Sequence, residues 1–326
     1  MNDVRILGHG PVLVCGQGVE ALENALSGGG GPPNDDVPTE SLTGFFPPAR
    51  IRRIDPLGRM ALLASFLALR DAGIALEEAR SDRTGIVFGT AFGPQTSTFA
   101  YLDSIIDAGD QMASSLAFTN SVHNLASAQI SLALGITGPT RTLTAFGYTV
   151  GASLLSARHW LRSGRVDRAL VVLGEETSPV MAYAVGRMGG RSDGVRPFTQ
   201  GCSYTARPGC IALVLGLEGK GYARLVDVEE GLTTAEAAER AGQADGLFCA
   251  DTGRADESPA YRELAAKSLR VASHSPLYGS LAISLGIELA IAALAISGRA
   301  AVPMLRTAAV AGVSGPDRVT MISIEG

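Results

Sequence analysis

The chain has 326 residues, 46% of them apolar and 18% charged, which is enough material for one large core or two fused smaller ones and excludes a mainly disordered chain. A formal net charge of −5 argues against nucleic acid as a partner, because a phosphate-binding surface needs a concentrated basic stripe. Cys15, Cys202, Cys210 and Cys249 stand in apolar or Gly-rich surroundings with no CxxC spacing. They read as reduced thiols, neither a disulfide framework nor a zinc site.

Met1-Asn-Asp-Val-Arg5 lacks the basic segment and apolar run of a secretory leader, so a cytoplasmic location is expected. Residues 12–15 predict a short buried strand, followed by Gly16-Gln17-Gly18 and a helix over 19–26. The glycines do not make a phosphate loop, since no Lys-Ser/Thr follows and the dinucleotide fingerprint is incomplete. Residues 27–36, rich in Gly and Pro, predict a surface loop. Pro56 near its start and Gly73 at its end frame a buried helix, and Arg50, Arg52, Arg53 and Arg59 around its beginning read as a solvated edge. Residues 83–90 predict a buried strand, and Phe92-Gly93-Pro94 the turn into a helix over 95–106. On that helix Phe99, Leu102 and Ile106 form an apolar stripe, which taken alone reads as core packing. A further helix over 125–134 ends at Gly135.

The strand 141–145 then runs into Thr144-Ala145-Phe146-Gly147, a sharp turn that leads into a helix with Val150, Leu154, Ala157 and Leu161 on one face. A strand-turn-helix elbow is where a nucleophile is held over a helix N-terminus. Phe146 has no lone pair and no titratable proton, so nucleophilic catalysis from the tip is excluded. The strand 169–174 completes a parallel crossover unit. At its carboxyl end Glu175 and Glu176 read as structural hydrogen-bond acceptors.

The second half repeats the logic with strands at 222–228, 246–250 and 319–324, helices at 234–241 and 258–269, and an apolar stretch at 281–296. That stretch holds Ser284, Gly286 and Glu288 and stops at Gly298, which marks a buried core helix and not a membrane span. His9, His123, His159 and His274 show no metal-ligand spacing, and no metal is expected. Two α/β halves, 1–220 and 221–326, are the economical division.

In this order the elements resemble a β-ketoacyl synthase of the thiolase superfamily over nearly the whole chain. The resemblance rests on residues 12–19, 55–73 and 83–90, on Asn120-Ser121-Val122-His123-Asn124, on Arg196-Pro197-Phe198, and on residues 204–217 and 311–315. It implies a thiolase fold, with two pseudo-duplicated α/β halves in a layered α-β-α-β-α arrangement. The family mechanism uses a Cys to carry the acyl chain, two His to drive decarboxylation, and a Lys near the second His. At the matching positions stand Phe146, Asp251, Gly279 and His274, and Pro208 replaces a family glutamate. Loss of a whole cooperating set implies no condensing activity by the chain alone, because such residues act as a unit.

A ketosynthase-like chain without these residues resembles the chain-length factor of a type II polyketide synthase. Such a factor pairs with an active ketosynthase as a heterodimer and meets the acyl carrier protein through that complex. The Ser-Val-His-Asn motif is similar to that of the highly reducing, polyene-forming branch. In that family a tunnel at the dimer interface is walled by counterparts of the 95–106 helix and the 116–120 segment, which places Gln95, Phe99, Leu102, Leu116, Ala117 and Phe118 on the wall. Phe146 is expected to plug the space of the missing nucleophile. The resemblance implies no cofactor, no metal, no membrane and no nucleic acid. The alternatives are an acyl-thioester enzyme of different chemistry using Asp251, His274 or His123, and an inactive homodimer.

Overall fold

Runs of Val, Leu and Ile covered on both faces make the central strands, the composition that a sheet buried between helices favours. The computed structural model describes residues 3–29, 36–187, 195–198, 205–230, 232, 234–252, 258–267, 270–300, 302, 306–307 and 319–322. The family-like segment 311–315 and most of the loops at 27–36 and 188–198 lie outside the described residues, as do 253–257.

The strands in chain order are β1 (Val4–Leu13), β2 (Gly16–Gln17), β3 (Thr84–Gly89), β4 (Thr140–Leu143), β5 (Arg168–Glu175), β6 (Gly209–Gly216), β7 (Ala223–Leu225), β8 (Gly246–Cys249), β9 (Arg270–Ala272), β10 (Arg306–Thr307) and β11 (Val319–Ile322). The first sheet is ordered β2-β1-β6-β5-β3-β4, with β7 beside β1, and the second β10-β9-β8-β11. In the first, β4 and β5 lie parallel on either side of β3, whereas β6 runs antiparallel to β5 and β1. In the second, β8 is parallel to both β9 and β11.

Three apolar cores stack these sheets. On one face of the first sheet, Ile86, Phe88, Leu170 and Val172 pack against the Pro56–Asp71 and Leu125–Leu134 helices through Leu62, Leu63 and Ile130. On its other face, Val87, Val171, Leu173 and Leu213 meet the Thr149–Arg162 and Ser284–Ile296 helices, and the same core reaches Phe248 and Ala272 of the second sheet. The far side of the second sheet sets Leu247, Cys249 and Val271 against Ala241, Tyr261 and Leu264 of the Thr234–Gly242 and Ser258–Lys267 helices. Helix, sheet, helix, sheet, helix is the layered α-β-α-β-α arrangement that the resemblance implied. The Ser284–Ile296 helix is buried through most of its turns between the two sheets, and among the described residues no helix is long and apolar enough to cross a membrane.

Besides short elements the sequence reading did not place, such as β9, β10 and the Pro179–Arg187 helix, two strands differ from it. β1 spans Val4–Leu13 where only residues 12–15 were expected as strand, because Gly8, His9, Gly10 and Pro11 interrupt its apolar pattern. Those glycines are there for packing: a Cβ on Gly10 would stand 2.2 Å from the Ala64 carbonyl oxygen, so the Pro56–Asp71 helix lies directly on the strand. β7, read as opening the second half, pairs with β1 in the first sheet, Val4 opposite Leu225. Three residues are too few to carry a pairing signal, and the Tyr222 amide donating to the Ile6 carbonyl (2.8 Å) leads the segment into that edge.

Candidate functional site

The elbow forms as a strained turn. β4 ends at Leu143, Phe146–Tyr148 make one turn of 3-10 helix, and Thr149–Arg162 follows as the buried helix. The Tyr148 amide donates to the Ala145 carbonyl (2.9 Å) and the Ala145 amide to Thr149 Oγ1 (3.0 Å), which closes the turn on both sides. Phe146 has φ +46°, the left-handed region that costs a residue with a Cβ about 1–2 kcal/mol. Its ring meets Phe92 edge-on at 5.8 Å, yet the side chain is 57% exposed. The expected plug is therefore corrected: the ring lies against Phe92 and stays largely exposed, so among the described residues it is not enclosed in a cavity.

The other three residues expected at vacated catalytic positions, Asp251, His274 and Gly279, gather at the carboxyl end of the second sheet. Asp251 is fully buried just after β8; its Oδ2 accepts from the Phe198 amide (2.6 Å), and its carbonyl oxygen accepts from the Ser273 and Ser275 hydroxyls (2.8 and 2.6 Å). His274 is buried against Glu288, with its amide at 2.5 Å from Oε1 and Nδ1 at 2.9 Å from Oε2; the Tyr278 hydroxyl donates to the same Oε1 (2.7 Å). Burial, with the Glu288 charge beside it, holds the Tyr278 hydroxyl well above its ordinary range. Gly279 has φ +86°, and a Cβ there would stand 2.7 Å from the Thr205 carbonyl oxygen. This corner is a closed hydrogen-bonded knot in which Asp251 and His274 hold backbone and side chains together. Glu288 was not singled out from the sequence as a site residue, because it stands in an apolar helix fourteen positions after His274.

The expected wall residues occupy two neighbouring helices, Gln95–Ala108 and Ser115–Asn120. Leu102, Leu116 and Phe118 are exposed (43, 58 and 54%), Phe99 and Ala117 are half-buried, and Tyr101 packs against the Phe118 ring at 5.2 Å. Gln95 is instead buried: its Nε2 donates to the Glu176 carbonyl (3.1 Å) and its Oε1 accepts from the Ser178 hydroxyl (2.9 Å). The stripe read alone as core is thus not core in this chain, since Ile106 is 78% exposed. Of 14 exposed large hydrophobics among the described residues, 11 fall between Leu102 and Tyr183, Phe146 and Tyr148 included. His123 is exposed, with its ring against Gly93 in the turn before the Gln95–Ala108 helix.

Behind that turn lie two buried carboxyls. Glu175 accepts from the Ala91 amide and from the Phe92 amide (3.3 Å), and Glu176 from the Thr96 amide (2.6 Å). Burial pushes Glu175 up to about 8 against the pull of its amide donors, and Glu176 up to about 7, with Asp55 adding to the rise. Among the described residues no group of three His, Cys, Asp or Glu stands in metal-binding proximity.

Residues 29–198 match the family described as beta-ketoacyl synthase, N-terminal domain. Over 136 residues the chain is 32% identical to the phenolphthiocerol synthesis polyketide synthase type I Pks15/1 of Mycobacterium marinum, covering 39% of this chain and 6% of that protein. Over 183 residues it is 27% identical to nodulation protein E of Rhizobium meliloti, covering 54% of this chain and 42% of that protein. The chain thus spans less than half the length of these relatives. Among solved structures it superposes on the ishigamide ketosynthase/chain length factor with a TM-score of 0.74 at 20% identity, covering 91% of this chain and 86% of that one. It also superposes on a chain from a type II polyketide synthase acyl-carrier protein in complex with its ketosynthase bound to the hexaketide, with a TM-score of 0.74 at 17% identity and coverage of 93% and 88%. At these identities the likeness carries the fold, which is thiolase-like. With the family match spanning just over half of its residues, the chain belongs to the beta-ketoacyl synthase family.

Proposed function

We propose that this chain is a non-catalytic chain-length factor: it pairs with an active ketosynthase and supplies part of the tunnel that fixes the length of a growing polyketide or polyene chain carried on an acyl carrier protein. The observation that carries the reading is the contrast between two regions. The positions where the family keeps its catalytic set hold a phenylalanine, a knotted aspartate, a buried His–Glu pair and a glycine with no room for a side chain. The two helices after the Phe92 turn, in contrast, leave Leu102, Ile106, Leu116 and Phe118 exposed. Contiguous exposed apolar surface of this kind marks an interface or a ligand groove. β4 supports the same reading, since among the described residues it pairs only with β3 and leaves its other edge open for another chain.

Bulk on a closed apolar wall limits what fits, because overpacking costs about 1–3 kcal/mol. Phe99→Ala and Phe118→Ala are therefore expected to lengthen the products of the pair reconstituted with an active ketosynthase, read by mass spectrometry of released chains. Unchanged product length for every wall substitution would contradict the tunnel.

A further inference from the structure

We propose that Glu175 and Glu176 are positioning residues that together clamp the 91–96 turn and set the angle at which Phe92 and the Gln95–Ala108 helix leave the first sheet. The consequence for product length rests on the tunnel reading above. The clamp itself stands on its own geometry.

The first amides of a helix have no partner within it. For the Gln95–Ala108 helix the residue at the N-cap is Pro94, which gives no side-chain cap. Glu176, from a different strand, takes that task by accepting from the Thr96 amide at 2.6 Å. Its neighbour Glu175 holds the preceding residues, one oxygen on the Ala91 amide and the other on the Phe92 amide. Gln95 adds a third tie, from the Glu176 carbonyl to the Ser178 hydroxyl. Ser178 Oγ in turn accepts from the Met181 amide at 3.1 Å, so the start of the Pro179–Arg187 helix is fixed by the same network. Phe92, held at its amide, is the residue whose ring meets Phe146 at the elbow. One strand end thus orients the wall helix, a second helix and the aromatic pair.

The chemistry calls for acceptors at every oxygen in use. Glu175 receives an N–H on both oxygens, so an amide in its place would turn its NH2 against one of them. Glu176 Oε2 is buried without a hydrogen-bond partner among the described residues. Among the described residues, Asp55 at the start of the Pro56–Asp71 helix acts on Glu176 and Cys210 on β6 stands near Glu175, while Arg59 neighbours Asp55 and the His123 ring lies against Gly93 in the turn itself. With burial raising both carboxyls in the closed turn, the closed form binds protons more tightly than an opened, solvated one. Raising the pH through 7–8 therefore favours opening.

Hydrogen exchange of the full chain between pH 6 and 9, corrected for intrinsic rates, tests the clamp. Protection of the Ala91, Phe92 and Thr96 amides is expected to fall at least about tenfold, since each unit of difference between closed and open forms is tenfold in the opening equilibrium. The Ile86 amide within β3 should show no such fall. Glu176→Gln should flatten the response at Thr96, and Glu175→Gln that at Ala91 and Phe92. A wild-type response that is absent, or that survives unchanged in both variants, overturns the clamp. In the pair with an active ketosynthase, product length should drift with pH for the wild type and not for the double variant Glu175→Gln/Glu176→Gln. Exchange as described with product length constant leaves the clamp standing and sinks the tunnel reading instead.

Discussion

Phe146 holds a strained backbone at a strand-turn-helix elbow while having nothing to react with. A left-handed phenylalanine at φ +46° persists because the hydrogen bonds at Ala145 and Thr149 and the following helix over-determine the turn. Restoring the nucleophile should accordingly restore no chemistry. Phe146→Cys is expected to release no carbon dioxide from malonyl thioesters and to form no condensed product, because Asp251 is bound to the Phe198 amide and Gly279 cannot take an imidazole without moving the Thr205 carbonyl. Condensation by that single variant would contradict the account. At this scale the sequence was informative about identity and silent about partners. The residues at 146, 251, 274 and 279 were readable by resemblance as candidates for vacated positions. Glu288 was not, since a carboxylate inside the apolar 281–296 run reveals its role only when the helix folds back under His274. Nor was the exposure of Phe146, which depends on where the turn aims the ring.

The Gln95–Ala108 helix shows what periodicity can and cannot carry. The spacing of Phe99, Leu102 and Ile106 gave a helix with an apolar stripe, and the helix is there. Whether the stripe faces this chain's own core or something outside it is not encoded in spacing, because both surroundings select the same residue types. β1 failed in the opposite sense: its glycines hid a ten-residue strand, their purpose being contact with a helix some 55 residues away. If the exposed stripe meets a partner, a charge placed on it should leave the fold intact and break the assembly. Ile106→Asp, at a position 78% exposed, is expected to change stability by less than about 0.5 kcal/mol, the range of surface substitutions. The urea midpoint should hold while co-elution with an active ketosynthase is lost. Co-elution at the wild-type yield would remove this face from the interface.

For the whole molecule, five layers are complete without help: two sheets are covered on both faces, and the Ser284–Ile296 helix is shared between them. This architecture was legible early, because buried parallel strands and Gly-terminated helices alternate along the chain. The exposed apolar side chains from Leu102 to Tyr183 and the edge of β4, unpaired among the described residues, do not follow from the needs of one chain's core. Co-expression with an active ketosynthase, followed by size-exclusion chromatography and mass determination of the assembly, tests the central claim most directly. The account predicts one copy of each chain in a stable complex that forms product, with this chain alone turning over no acyl thioester. A homodimer that excludes the ketosynthase, or acyl-thioester turnover by the isolated chain, would contradict it.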